Sequence, residues 1–343
     1  PPRTLESEDP KAILLALVGS PNIASRLPLF QQYDWLVQSR TVRRPEQADA
    51  AVLKLEAGNA IATSIDGNGR KVACDPYWGS VGVVLECASN LACVGAEPLG
   101  TTNNLNFGNP EKPHVAWQLT EAVRGIADAC RALDAPIVGG NVSLYNEGAT
   151  AGPIYPTPTI GMVGELPDAA RAGRLGFESD PARPDSVALV GPFRPHLPGS
   201  ELAKLRGEAL PDGLPEIDVA AVRAAQEAVR AAVRAGDLTS AHDVAEGGLL
   251  VAVAECCLGG DTGVTLDLGE SDDPEARLFG EAPGGFVVSG PREAIERLGE
   301  AVELEHLGTV GGDAVDVAVG GQRLRATLAE LRTAHAALAR LFA

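Results

Sequence analysis

The stretch Gly139-Gly140-Asn141-Val142-Ser143-Leu144-Tyr145-Asn146-Glu147 holds the densest set of residues able to do chemistry. Its two glycines let backbone approach a bound group closely and tolerate φ > 0. Asn141, Ser143, Asn146 and Glu147 add amide, hydroxyl and carboxylate oxygens, which suit a hard cation and the phosphates it carries. The run Ala135-Pro136-Ile137-Val138 before it reads as a buried strand, so the glycines fall at a strand's C-terminal end. Open α/β sheets place ligands just outside that end. A glycine pair alone is commonly a turn. A second polar stretch, Thr101-Thr102-Asn103-Asn104-Leu105-Asn106-Phe107-Gly108-Asn109-Pro110, also follows an apolar segment and precedes a helix. Two such turns in one domain point to a site.

Asp66, Asp75, Asn103, Asn141 and Glu147 form a wider oxygen-bearing set on turns between strands and helices. They could supply one or two ligands to magnesium, with water and phosphate completing the octahedron. Turns and caps favour Asp and Asn for their own reasons, and by residue type alone that reading leads. His242-Asp243-Val244-Ala245-Glu246-Gly247-Gly248 contains the one histidine in a suggestive setting. It could act as a general acid or base. The preferred reading is a helix cap, with Asp243 as N-cap and Glu246 at N3. No Ser/His/Asp pairing, phosphate-loop signature, Gly-x-Gly-x-x-Gly run or nucleophile elbow is present.

The elements that must position these residues alternate between helix and strand periods. A short helical pattern covers residues 12–17, and a weak one lies within 23–42. Short β-like runs follow at 50–55, 60–65 and 71–74, the last two separated by an Asn-Gly hairpin signal. Asp75 before Pro76 caps a long helix over about 80–94. A strand near 98–102, an amphipathic helix over 115–133 and a closing strand at 157–163 complete a first unit. The Pro-, Gly- and Arg-rich stretch 166–184 reads as the boundary. Beyond it we expect strands at 186–191, 263–268, 285–289 and 315–319, with helices over 218–235, 248–258 and 326–342. This alternation indicates α/β or α+β layers in both halves. The chain divides into a lead-in at 1–45, a first domain at 46–170 and a second at 185–343.

The 343 residues, 45% apolar, suit two soluble domains. A net charge of −18 argues against nucleic acid and anionic membrane as partners, since both require a basic footprint. Cys74, Cys87, Cys93, Cys130, Cys256 and Cys257 show no zinc or redox spacing and read as reduced, buried thiols of a cytoplasmic protein. No apolar run reaches the ~20 residues of a membrane helix. The start at Pro1 suggests a fragment or processed product.

Residues 104–113 and 139–147 resemble the small-type phosphoribosylformylglycinamidine synthase family, the synthetase subunit PurL. Gln32-Tyr33-Asp34, Asp49 to Leu53, Gly95 to Leu99 and Ala241 to Gly248 match as well. The likeness runs from about residue 10 to the end and covers the second half of that enzyme, which duplicates a two-domain PurM-like unit. The resemblance implies an α/β domain whose sheet pairs with a second copy into a barrel, followed by a PurM C-terminal-like α/β domain. It implies a ligase that makes formylglycinamidine ribonucleotide from formylglycinamide ribonucleotide, ATP and glutamine-derived ammonia in purine synthesis. The cofactors are then ATP and Mg2+. The partners are the N-terminal half, the glutaminase subunit PurQ and the small subunit PurS. By motif, Asn103 and Gly140 contact ATP, Asn141 binds magnesium and Ser143 contacts substrate. Asn103 stands where the family usually has Asp.

Departures from the family fall at its catalytic groups. Ser64, Asp66, Asn68, Gly69 and Arg70 replace a hairpin bearing a Lys, a metal-binding Glu and a His-Asn-His run. Tyr33 replaces a second catalytic histidine, and only Glu281 survives of a Glu-Ser-Gln triplet. Asp243 aligns with a metal-binding Asp but is assigned no metal. This half therefore carries no catalytic residue and is expected to be inactive alone. It is also expected to self-associate through its uncovered sheet. Two other readings remain open. One is a non-catalytic nucleotide-binding scaffold. The other is a self-sufficient PurM-like enzyme such as aminoimidazole ribonucleotide synthetase.

Overall fold

The computed structural model describes residues 3–178 and 180–342. The first part contains α1 (Pro10–Val18), α2 (Leu27–Phe30), β1 (Thr41–Arg43), β2 (Ala51–Lys54), β3 (Ala60–Asp66), α3 (Gly69–Cys74) and α4 (Pro76–Cys93). It continues with β4 (Glu97–Asn106), α5 (Pro113–Ala132), β5 (Ile137–Ser143), β6 (Glu147–Gly148), β7 (Gly152–Pro153) and β8 (Thr157–Leu166). Six of these strands form one sheet in the order β1-β2-β3-β8-β4-β5. Alternation along β3 and β8 sends Ala60, Ala62, Ile160 and Met162 toward α4 and α5, where they join Leu85, Leu91, Ile126 and Phe107 in a core. Among the described residues nothing covers the opposite face, and Ile65 and Val138 are 75% and 76% exposed on the uncovered sheet and its edge.

The second part contains β9 (Ser186–Val190), α6 (Glu201–Leu205), α7 (Val219–Ala235), β10 (Ser240–Asp243), α8 (Gly248–Gly260), β11 (Val264–Asp267) and α9 (Pro274–Phe279). It ends with β12 (Phe286–Gly290), α10 (Arg292–Gly299), β13 (Leu304–Val310), β14 (Ala314–Val319), β15 (Gln322–Thr327) and α11 (Leu328–His335). Its sheet runs β10-β12-β9-β13-β11-β14-β15. The α8 helix, apolar apart from Glu255, is buried against it, and Ile13, Leu14 and Leu17 of α1 pack into the same core. The two layers are tied by α7, whose buried Gln226 donates to Leu85 O at 2.9 Å and Ser89 Oγ at 3.0 Å of α4.

Local chemistry explains the helix starts. Asp75 Oδ1 accepts from the Tyr77 and Trp78 amides at 3.0 and 2.9 Å, with Pro76 in the first turn of α4. Asp218 does the same for α7 through Ala221 N at 2.9 Å, and Gly236 at φ 78° ends that helix.

Several expectations fail for identifiable reasons. Asn68-Gly69 makes no hairpin: Asn68 Oδ1 caps α3 by accepting from Lys71 N at 3.0 Å, and β3 pairs with β8 instead. Residues 71–74 are therefore helical. The region 23–42 holds the four-residue α2, a 3-10 turn at Val37–Ser39 and the start of the short β1. The Asn-rich stretch 101–106 is strand, and the strand expected to stop at Val138 continues to Ser143 as an exposed edge rather than a buried strand. β10, β13 and β15 were not foreseen. Asp243 lies on β10 and caps nothing, because Gly247, at φ 86°, precedes α8.

Candidate functional site

The two Asn/Gly stretches lie side by side because β4 and β5 are parallel neighbours joined by α5. Parallel pairing brings both C-terminal ends to one edge of the sheet. In this register Asn103 faces Gly140, Asn104 faces Asn141 and Asn106 faces Ser143. A Cβ built on Gly140 would sit 2.2 Å from Asn103 Oδ1 and 2.6 Å from Asn103 O, so only glycine fits beside that amide. Gly140 and Asn141 are exposed, while Asn103 and Ser143 are half-buried. Three of the four nominated residues thus lie on the edge strand β5, and Asn103 lies beside them on its neighbour β4. They offer neutral oxygens and a backbone cradle, which can contribute a ligand to magnesium whose other positions are water and phosphate.

The loop after β5 is bound to the loop after β4. Phe107 N donates to Ser143 O at 3.0 Å, and Tyr145 N to Gly108 O at 3.0 Å. Tyr145 takes φ 62° to make that turn. Glu147 accepts from Asn109 N at 3.0 Å and pairs with Lys112 Nζ at 2.7 Å. Those contacts hold its carboxyl below the usual range, Lys112 first. Glu147 therefore staples the loops together instead of facing the patch as a free ligand, and Asp75 is consumed as the cap of α4.

Asp66 joins a second polar cluster between the layers. Lys71 Nζ lies 2.9 Å from Glu281 Oε2, while Glu281 Oε1 accepts from the Glu201 and Gly247 amides at 2.8 Å each. Asn68 Nδ2 donates to Glu246 Oε1 at 2.7 Å. His242 Nδ1 meets Asp49 Oδ1 at 2.8 Å, and its Nε2 meets Glu255 Oε2 at 3.2 Å. Asp243 is 3% exposed, and its Oδ2 has no hydrogen-bond partner among the described residues.

Burial pushes Asp66 up to about 7, with Glu246 adding to the shift, and pushes Asp243 up to about 6. Glu86 rises well above its ordinary value through burial and its neighbour Asp243. Burial works to lower Lys71 and His242, but the surrounding carboxylates together outweigh it, Glu281 and Glu246 at Lys71 and Asp49 and Glu255 at His242, so both stay cationic. Ligand-type atoms of Asp49, His242 and Asp243 lie within 4.8 Å of one another. Both imidazole nitrogens are already engaged there by carboxylates. The adjoining cavity, lined by Asp66, Lys71, Glu86 and Glu246, measures about 60 Å3. Ligand pockets begin at roughly 300 Å3. Asp49 and Glu86 had no local sequence signal, because their partners lie far along the chain, Asp49 and His242 being 193 residues apart.

Residues 47–166 match the AIR synthase related protein N-terminal domain, and residues 183–320 the C-terminal domain of the same description. The chain is 41% identical over 329 residues to phosphoribosylformylglycinamidine synthase subunit PurL of Moorella thermoacetica, covering 94% of this chain and 44% of that protein. It is 44% identical over 320 residues to the PurL of Allorhizobium ampelinum, covering 90% of this chain and 42% of that protein. The chain thus spans less than half the length of these relatives. Its fold resembles Thermotoga maritima PurL complexed with FGAR, with a TM-score of 0.75 at 16% identity over 95% of this chain and 54% of the other. It also resembles Thermotoga maritima PurL complexed with ATP, with a TM-score of 0.54 at 23% identity over 83% and 40%. Among the described residues no helix is long and apolar enough to cross a membrane. With both of its domains matched and PurL subunits as its relatives, the chain belongs to the AIR synthase related family, in its phosphoribosylformylglycinamidine synthase PurL branch.

Proposed function

We propose that this chain is the C-terminal half of the formylglycinamidine ribonucleotide synthetase, supplying one wall of an ATP-magnesium site completed by an N-terminal half. The observation that carries this reading is the β4–β5 register, which sets Asn103 of β4 directly beside Gly140 of the edge strand β5, with Asn141 and Ser143 following on β5. Gly140 and Asn103 form the nucleotide cradle, Asn141 gives magnesium one oxygen, and Ser143 contacts formylglycinamide ribonucleotide. ATP supplies the activation of the substrate amide, and glutamine-derived ammonia, delivered with PurQ and PurS, replaces the amide oxygen. The proton-transfer groups come from the other half. Within this chain the first domain, 46–170, carries the half-site, and the second, 185–343, backs it.

The test is Asn141→Ala in the complete synthetase. The magnesium concentration giving half-maximal rate should rise roughly tenfold or more, the scale seen when support to a bound metal is removed. An unchanged magnesium dependence would leave this half a scaffold. That second reading has one observation in its favour: Tyr33 stands where the family has a catalytic histidine.

A further inference from the structure

The Asn146 side chain ties the loop after β5 to the end of β4, next to Ser143. Its Nδ2 lies 2.9 Å from Ser143 O, 3.1 Å from Phe107 O and 3.1 Å from Ser143 Oγ. Two of those three atoms are carbonyl oxygens, which only accept, so the amino end of the amide must face them. The orientation of Asn146 is therefore fixed by its surroundings. Its backbone is held too, since Asn146 N donates to Phe107 O at 3.1 Å and its carbonyl accepts from Ile154 N at 3.0 Å. Phe107 is fully buried, so the amide hangs from the core rather than from a surface loop.

This geometry sets the polarity of the Ser143 hydroxyl. A serine oxygen that accepts from an amide N–H keeps its own hydrogen for another acceptor. Among the described residues the only intramolecular acceptor in reach is Asn146 Oδ1, at 3.3 Å, a long contact for an O–H donor. We propose that Asn146 is a positioning residue that holds the Ser143 hydroxyl as a donor toward an acceptor oxygen of the ribonucleotide substrate. This rests on the reading of Ser143 as a substrate contact.

The complete synthetase tests it through Ser143→Ala, Asn146→Ala and the double variant. Ser143→Ala and Asn146→Ala should each raise the KM for formylglycinamide ribonucleotide roughly tenfold, the scale of one directed hydrogen bond. The KM for ATP should stay unchanged. The double variant should be no worse than either single one, because both remove the same interaction. Asn146→Asp, nearly identical in volume, offers only acceptors when ionised, so its KM should fall back toward wild type as pH is lowered and the carboxyl regains a donor. That recovery would not follow from a loss of folding. If Ser143→Ala raises the KM while Asn146→Ala and Asn146→Asp leave it alone, the positioning role is wrong and the substrate contact stands. Additive losses would equally overturn the positioning role. If Ser143→Ala itself is silent, the assignment of Ser143 to substrate fails, and the inference fails with it.

Discussion

Asp66 ends β3 beside Glu246, with Asp243 and Glu86 close behind, and Lys71 is the nearest cation. Each of these four carboxyls holds its proton to a higher pH in the folded chain than in the unfolded one, chiefly through burial. Between the ordinary carboxylate range and about 7 for Asp66, the folded state therefore binds more protons than the unfolded state, and stability falls as pH rises through that window. His242 acts in the same direction. Its folded value lies above the unfolded one, so its contribution is complete below the unfolded value and is lost as pH climbs through the folded one. Exposed Glu147, Asp313 and Glu330 are shifted down and act only at more acid pH. Thermal unfolding should accordingly give a higher melting temperature at pH 5.5 than at pH 8. Asp66→Asn, neutral at every pH, should flatten that slope. A melting temperature that rises with pH would overturn the assignment.

The β4–α5–β5 unit places the patch, and its tightest constraint is the glycine at position 140. Gly140→Ala would press a methyl group to within 2.2 Å of Asn103 Oδ1. Either Asn103 turns away or the strands part, at a cost of roughly 1–3 kcal/mol for such overpacking. Calorimetric titration of the complete synthetase with Mg-ATP should show markedly weaker binding, and wild-type affinity in the variant would remove Asn103 from the nucleotide site. The sequence made α5 and α7 legible, because their apolar residues recur at helical spacing and Asp218 and Gly236 mark the ends of α7. It also led to the patch, through the oxygen-rich residues around the glycines. It misjudged the secondary structure there, since Asn and Gly favour turns by local chemistry while the β4 ladder imposes an extended backbone on residues 139–143. The buried cluster was illegible for another reason. Its members come from β3, α4, β10 and the segment before β2, and no local period links them.

The uncovered sheet governs how the chain behaves alone. Its helix-free face and outer strand expose Ile65, Leu99, Val138, Val142 and Val163, and β5 ends the sheet with one side unpaired. Contiguous apolar surface beside an open strand edge is a standing invitation to association. The rest of the exterior, at net charge −18, resists it by repulsion. On the proposed reading a complementary half would cover this face and close the two sheets into a barrel. Without that half, a second copy is the nearest surface of matching shape, so the isolated chain should sediment as a monomer–dimer equilibrium that shifts with concentration. Ile65→Asp places a charge on the uncovered face without touching the core beneath α4, so it should yield a monomer with an unchanged circular dichroism spectrum. Added salt should strengthen dimerisation of the wild type, because it screens the like charges while the apolar contact persists. A chain that stays monomeric across concentration and salt would mean that the open face is stable in water and that barrel closure needs groups found only in the other half.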